Sequence, residues 1–171
     1  MDRQTHAFRF TCAHCGDVHN GIPAFHAARP AQYAEVPVDK RAADVFLTSD
    51  SCVIADRFFF VRGCLDIPVI GTTEVLQWGV WVSLSETSFF AWQAAYTATK
   101  RAHLGPYFGW LSTDLAPYGV TRHLPTTVVL RDDGLRPSVT VADVDHPLAK
   151  QQRDGISMHE LARLIHAFDD A

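Results

Sequence analysis

The sequence predicts an α+β fold: a mainly antiparallel sheet with a central helix and a C-terminal helix, entered through an N-terminal CxxC knuckle. Three observations carry that class. Alternating apolar runs fill the middle of the chain, an aromatic segment at helical spacing lies among them, and a capped amphipathic segment follows.

Residues 6–11, His-Ala-Phe-Arg-Phe-Thr, alternate and predict a strand running into Cys12. Gly16, Asn20-Gly21, Pro23, Pro30 and Pro37 make residues 16–37 mostly loop, with a short helix expected near 39–45. Val53-Ile54 and Phe58 to Leu65 read as two strands of a hairpin turning at Ala55-Asp56-Arg57. On residues 76–84, Trp78, Val80, Val82 and Leu84 share one face, and Gln77, Gly79, Trp81 and Ser83 share the other. Ser85 then caps a helix on which Phe89, Trp92 and Tyr96 recur, with Lys100 and Arg101 near its C-terminus. Strands are expected at 107–112, 126–131 and 138–141, the last two flanking the turn Asp132-Asp133-Gly134. Ser157-x-x-Glu160 is a capping box opening a helix with the apolar stripe Met158, Leu161, Leu164, Ile165 and Phe168. Its other face, with His159, Arg163 and His166, reads as solvated.

No repeat or low-complexity linker divides the 171 residues, so one domain is expected over 1–171. Its parts are a knuckle and loop-rich entry at 1–37, a sheet with an inserted helix at 46–144, and C-terminal helices at 146–168. With 47% hydrophobic and 20% charged residues, the composition is that of a chain that builds a core. Fifteen Lys and Arg against 19 Asp and Glu give a formal charge of -4, and the longest basic runs are Lys40-Arg41 and Lys100-Arg101. Binding to nucleic acid or to anionic lipid needs clustered cations, so neither partner is expected. The N-terminus has no apolar h-region, and no apolar run reaches the roughly 20 residues of a membrane span. A cytoplasmic protein with reduced thiols follows as the expectation.

Cys12-Ala13-His14-Cys15-Gly16 is the sharpest local signal. Two thiolates separated by two residues can grip one tetrahedral zinc ion, and the glycine lets the backbone turn around it. A closed site needs two more ligands, for which His19, Cys52 and Cys64 are the candidates. A tight turn after Ile54 would set Cys64 three to five positions from Cys52, about 10 to 17 Å, so a four-cysteine site requires a wide loop or bulge. The bland alternative makes Cys52 and Cys64 small buried hydrophobes. His19 follows Cys15 at x3, outside the compact knuckle pattern C-x2-C-x4-H-x4-C. Read as a redox dithiol, the same CxxC lacks helix-forming sequence after it and a βα unit before it.

No nucleophile elbow, H-E-x-x-H, P-loop or G-x-G-x-x-G occurs. In Asp145-His146-Pro147, either Asp145 or His146 reads as the cap of a helix that Pro147 begins, and His146 could otherwise be a base needing a pocket and partner. Arg62 interrupts the run from Phe58 to Val61; it is either exposed on an edge strand or buried beside Asp50 or Asp66. Trp81 is either covered by the helix after Ser85 or exposed as a contact residue.

Several phrases recur in order along the chain: Cys12-x-x-Cys15-Gly16-x-x-His19, Asp50-x-Cys52-Val53-Ile54, and Phe60-Val61-Arg62-Gly63-Cys64-Leu65-Asp66-Ile67-Pro68. Trp78-Gly79-Val80-Trp81-Val82-Ser83-Leu84-Ser85, Pro106-Tyr107-Phe108-Gly109-Trp110-Leu111 and His146-Pro147-Leu148-Ala149, with Gln152 and Gly155-Ile156, complete them. Together they resemble the bacterial family catalogued as domain of unknown function 2199. The resemblance implies a stand-alone bacterial domain with the CxxC near its start, and brings no reaction with it. The function expected is a zinc-stabilised binding or regulatory module with a protein partner, its candidate surface including Arg62, Trp81 and His146. The alternatives are a small-molecule enzyme with a pocket around His146 and Arg62, and a CxxC thiol redox protein.

Overall fold

The computed structural model describes residues 8–12 and 15–169, the last two by backbone only. His6 and Ala7 of the expected first strand, His14 of the CxxC, and the Phe168 side chain of the final stripe lie outside the described residues.

Strands β1 (Arg9–Thr11) and β2 (Val18–Asn20) form a small antiparallel hairpin in which Phe10 faces His19. Three residues between Gly16 and Gly21 are too few for alternation to register, so β2 falls within the stretch expected to be loop. Strand β3 (Phe25–His26) follows, then a 3₁₀ turn over Ala31–Glu35 and a second over Val38–Lys40 that runs into helix α1 (Arg41–Asp44).

The larger sheet adds β4 (Val45–Leu47), β5 (Ser51–Ile54), β6 (Phe58–Pro68), β7 (Val75–Leu84), β8 (Tyr107–Leu111), β9 (Pro125–Val129) and β10 (Ser138–Val141). Its strand order is β3-β7-β8-β9-β10-β6-β5-β4, and β6 also pairs with β7 from Phe59 opposite Leu84 to Pro68 opposite Val75. Strands β6 to β10 therefore close on themselves as a five-stranded barrel, with β5 and β4 extending one edge. An up-and-down run of five strands brings its last strand parallel to its first. Ser138 accordingly lies beside Cys64 in parallel register, and the Cys64 N–H donates to the Pro137 carbonyl at 2.8 Å. Gly63 permits this closure: a Cβ there would meet Val139 Cγ2 at 2.5 Å and the Pro137 carbonyl oxygen at 2.9 Å.

Period-two alternation fills the barrel. Phe59, Val61, Leu65 and Ile67 of β6 point inward with Leu76, Trp78, Val80, Val82 and Leu84 of β7. Helix α2 (Glu86–Ala94) starts at Ser85, whose hydroxyl accepts the Ser88 N–H, and lays Phe89 against Phe59 with ring centroids 5.2 Å apart. It covers the barrel end where β6 begins and β7 finishes, and it stops before Tyr96. The α+β class therefore stands, but the sheet is organised by its own closure rather than around a central helix. Helix α3 (Pro147–Asp154) is tied to β10 by Gln152, which donates to the Val139 carbonyl and accepts the Val141 N–H. Helix α4 (Met158–Asp169) begins at the expected capping residue, Ser157 Oγ accepting the Glu160 N–H, and buries Leu161, Ala162, Leu164 and Ile165.

The outer face of β6 and β7 carries a second, smaller cluster of Cys52, Ile54, Phe60 and Trp81. Trp81 is 0% exposed, and its Nε1–H donates to the Ala27 carbonyl at 3.0 Å. Its cover is the chain leaving β3, with Ala27 and Val36 packed on the cluster, and not the helix after Ser85. Trp81 therefore offers no contact surface.

Candidate metal centre

Strand β1 ends one residue before Cys12, and the chain turns back with Gly16 at φ 79°, a conformation glycine adopts without a Cβ clash. Two backbone bonds lock the turn. Gly16 N–H donates to the Cys12 carbonyl at 2.9 Å, and Cys12 N–H donates to the Asp17 carbonyl at 2.7 Å. Cys12 is buried in the main core and Cys15 is exposed. On β2, His19 stacks its ring on Phe10 at 5.3 Å and 18°, which fixes the imidazole beside the turn.

The fourth group comes from the far end of the chain. Helix α4 brings His166 Nε2 to 3.1 Å from Cys12 Sγ, while His19 Nε2 lies 3.5 Å from Cys15 Sγ. The two imidazoles meet edge to face at 5.9 Å. One ligand atom from each of Cys12, Cys15, His19 and His166 falls within 4.8 Å of all the others, so the four side chains could hold a metal ion. For the Cys15 thiol, the hydrogen bond from the Asp17 backbone is the largest influence and lowers its pKa. Desolvation and the neighbouring Cys12 thiol outweigh it and hold the group above its ordinary 9.0. Two adjacent thiols resist ionising together, and a bound cation reverses that preference.

The sequence offers His19, Cys52 and Cys64 as candidates for the remaining ligands and assigns His166 to a solvated face. The structure corrects this: His166 is half-buried at the edge of the helix stripe, four residues after buried Ala162. An alanine does not announce a buried face, so the available signal was weak. Cys52 and Cys64 do not join the cluster. Cys52 lies opposite Phe60, four residues from Cys64 along β6, about 13 Å at the usual strand rise. Both are buried free thiols; burial pushes Cys52 up to about 11 and also raises Cys64. The CxxC sits in a β-turn-β hairpin, without the helix N-terminus that lowers the pKa of a redox thiol.

The other two candidate residues are apart. His146 caps α3, its Nδ1 accepting the Leu148 N–H at 3.2 Å. Arg62 belongs to β6, which has neighbours along both edges, so it is no edge-strand residue. Its guanidinium lies 5.9 Å over the Trp81 ring, in a cleft lined by Asp50, Trp92, Tyr96 and Arg136, with His146 not among the lining residues. Asp66, the other suggested partner, instead accepts from Gln77 at 2.9 Å.

One feature escaped the sequence altogether. A groove of about 690 Å³ runs between the 32–44 segment and the outer barrel face. Val36, Ile54, Phe58, Phe60 and Trp110 form its floor and walls, and Glu35, Lys40, Asp44 and His123 stand among its polar groups. Phe58 is 51% and Trp110 46% exposed. Among the described residues, no helix is long and apolar enough to cross a membrane.

No curated protein and no solved structure shows significant similarity to this chain. A family model described as an uncharacterized protein conserved in bacteria matches residues 11–156, a span that holds Cys12, Cys15 and His19 and ends before His166. Because that match covers most of the sequence, the chain belongs to the DUF2199 family of bacteria.

Proposed function

We propose that the protein is a zinc-stabilised binding and regulatory module that engages a protein partner through its aromatic groove. The observation that carries this reading is the four-residue cluster drawn from both ends of the chain. Two thiolates and two imidazoles are the donor set zinc prefers, and four protein ligands leave no open position for a substrate, so the metal's role is structural. Zinc bonds of about 2.3 Å to sulfur and 2.0–2.1 Å to nitrogen set neighbouring ligand atoms roughly 3.3 to 3.8 Å apart in a tetrahedron. The sulfur–nitrogen separations of 3.1 and 3.5 Å lie close to that range.

The groove supports the binding half. Its volume is that of a ligand site, and exposed Phe58 and Trp110 beside charged residues have the composition of an interface anchor. A net charge of -4 favours a protein partner over a polyanion.

Elemental analysis of protein purified without chelator should find about one zinc per chain. Less than about a tenth of an equivalent would remove the metal from the reading. Anilinonaphthalene sulfonate should bind in the groove, and Trp110→Ser should weaken that binding while leaving the melting temperature unchanged. Equal dye binding by the variant would remove the groove.

A further inference from the structure

The edge of β6 is shared. Strand β5 pairs with it as far as Val61, β10 takes over at Cys64, and Arg62 and Gly63 lie at the fork between them. The loops carrying Asp50 and Arg136 and the C-terminal part of α2 close around that fork and leave a notch of about 30 Å³. Two of the residues lining it each carry a buried N–H without an acceptor: Arg62 at Nε and Trp92 at Nε1. Trp92 itself is 4% exposed. A buried donor without a partner is costly, and two at one cavity point to an acceptor that the protein does not supply.

The surrounding charge gives that acceptor its sign. Arg62, Arg101 and Arg136 line the notch against one carboxylate, Asp50. Asp50 is already occupied, accepting from Arg136 Nε at 2.7 Å, Ser49 Oγ at 2.8 Å and the Tyr96 hydroxyl at 2.9 Å. The Arg101 guanidinium is also committed, donating to the carbonyls of Arg131, Tyr96 and Leu135, each at 2.8 Å. The Arg62 guanidinium makes a long 3.4 Å contact from Nη1 to the Ser49 carbonyl and lies over the Trp81 ring, and Nε is left without an acceptor. Burial and the Arg136 charge both disfavour its protonated form, and Asp50 offsets them in part. A volume about twice what one water needs admits one small group and no bulky ligand.

We propose that the notch is a binding site for a small monovalent anion, a chloride ion or a single carboxylate group. Arg62 Nε–H and Trp92 Nε1–H hold it, and Arg136 adds its positive charge. This site is independent of the metal centre and of the groove.

The test follows the indole N–H of Trp92 by NMR, its peak assigned by its loss in Trp92→Phe. Sodium chloride and sodium formate are titrated separately into a methanesulfonate background of constant ionic strength. A saturable shift of that peak with either salt supports the site: chloride alone identifies a halide site, and formate identifies a carboxylate site. Arg62→Gln should weaken binding at least about tenfold, as expected for loss of a charge-assisted hydrogen bond. Arg136→Gln, at a more exposed position, carries the comparison if Arg62→Gln does not fold. Absence of any saturable shift, meaning water only, overturns the proposal. Variants that titrate like the wild type overturn it as well.

Discussion

Replacing His166 with alanine is the sharpest test of the metal centre, because this ligand comes from α4 and lies outside the segment that carries the other three. Four-ligand structural zinc sites have apparent binding free energies of about 10–16 kcal/mol, or roughly 2.5–4 kcal/mol per ligand when shared equally. Losing one ligand should therefore weaken zinc binding by roughly 10²- to 10³-fold. Competition against a chromophoric chelator measures that loss directly. The hairpin should loosen with it: β1 and β2 are three residues each, and a lone two-stranded hairpin is marginal in water. Hydrogen exchange should speed up at the Cys12 amide, which donates to Asp17, and at the Gly21 amide, which donates to Phe8. Barrel amides such as Val80 and Val82 should stay protected. Zinc affinity in His166→Ala equal to that of the wild type would refute the assignment, and unchanged exchange at Cys12 and Gly21 would refute the mechanical link.

Three further outcomes are expected. Trp81→Ala should destabilise by about 3–5 kcal/mol, as much as Trp78→Ala, since both indoles are almost fully buried; denaturant melts that leave Trp81→Ala near the wild type would mean its cover is loose. Gly63→Ala should cost about 1–3 kcal/mol by forcing β10 away from β6, read as a drop in the urea midpoint. Asp132 accepts the backbone N–H groups of Ala102 and Arg101 and pairs with Lys100, and those bonds depress its pKa from 3.8 to about 2. Its stabilisation is complete above pH 3.8 and disappears as pH falls through about 2. Melting curves of wild type and Asp132→Asn should therefore differ at neutral pH and converge near pH 2, whereas a constant gap would contradict the reasoning.

Local signals proved legible where the residues themselves determine the conformation. Ser85, His146 and Ser157 each accept a backbone N–H at a helix start, and alternation along β7 separated Trp78 from Trp81 correctly. Non-local pairings were not legible. Barrel closure depends on Gly63 and Pro137 meeting across 74 positions, and a glycine inside a strand does not name the strand that will approach it. The cover on Trp81 comes from a segment read as loop, because two-residue β3 and a 3₁₀ turn have no periodicity to detect. At the metal centre the spacing of Cys12 and Cys15 is legible, whereas His19 is one of three candidate further ligands beside Cys52 and Cys64. His166 is not legible, because partnership between distant residues leaves no trace in local spacing.

The separation of Cys12 from His166 by 154 positions also orders events during synthesis. At about 5–20 residues per second, a ribosome makes the last ligand roughly 8 to 30 seconds after the first. Every barrel strand is translated in that interval, while two thiols and one imidazole wait as an incomplete set. Any barrel contact made before His166 is synthesised forms beside an incomplete cluster. On the proposed zinc reading, the ion would join a chain whose other parts are already made, and a nascent chain halted before α4 would carry the knuckle without the group that completes the cluster.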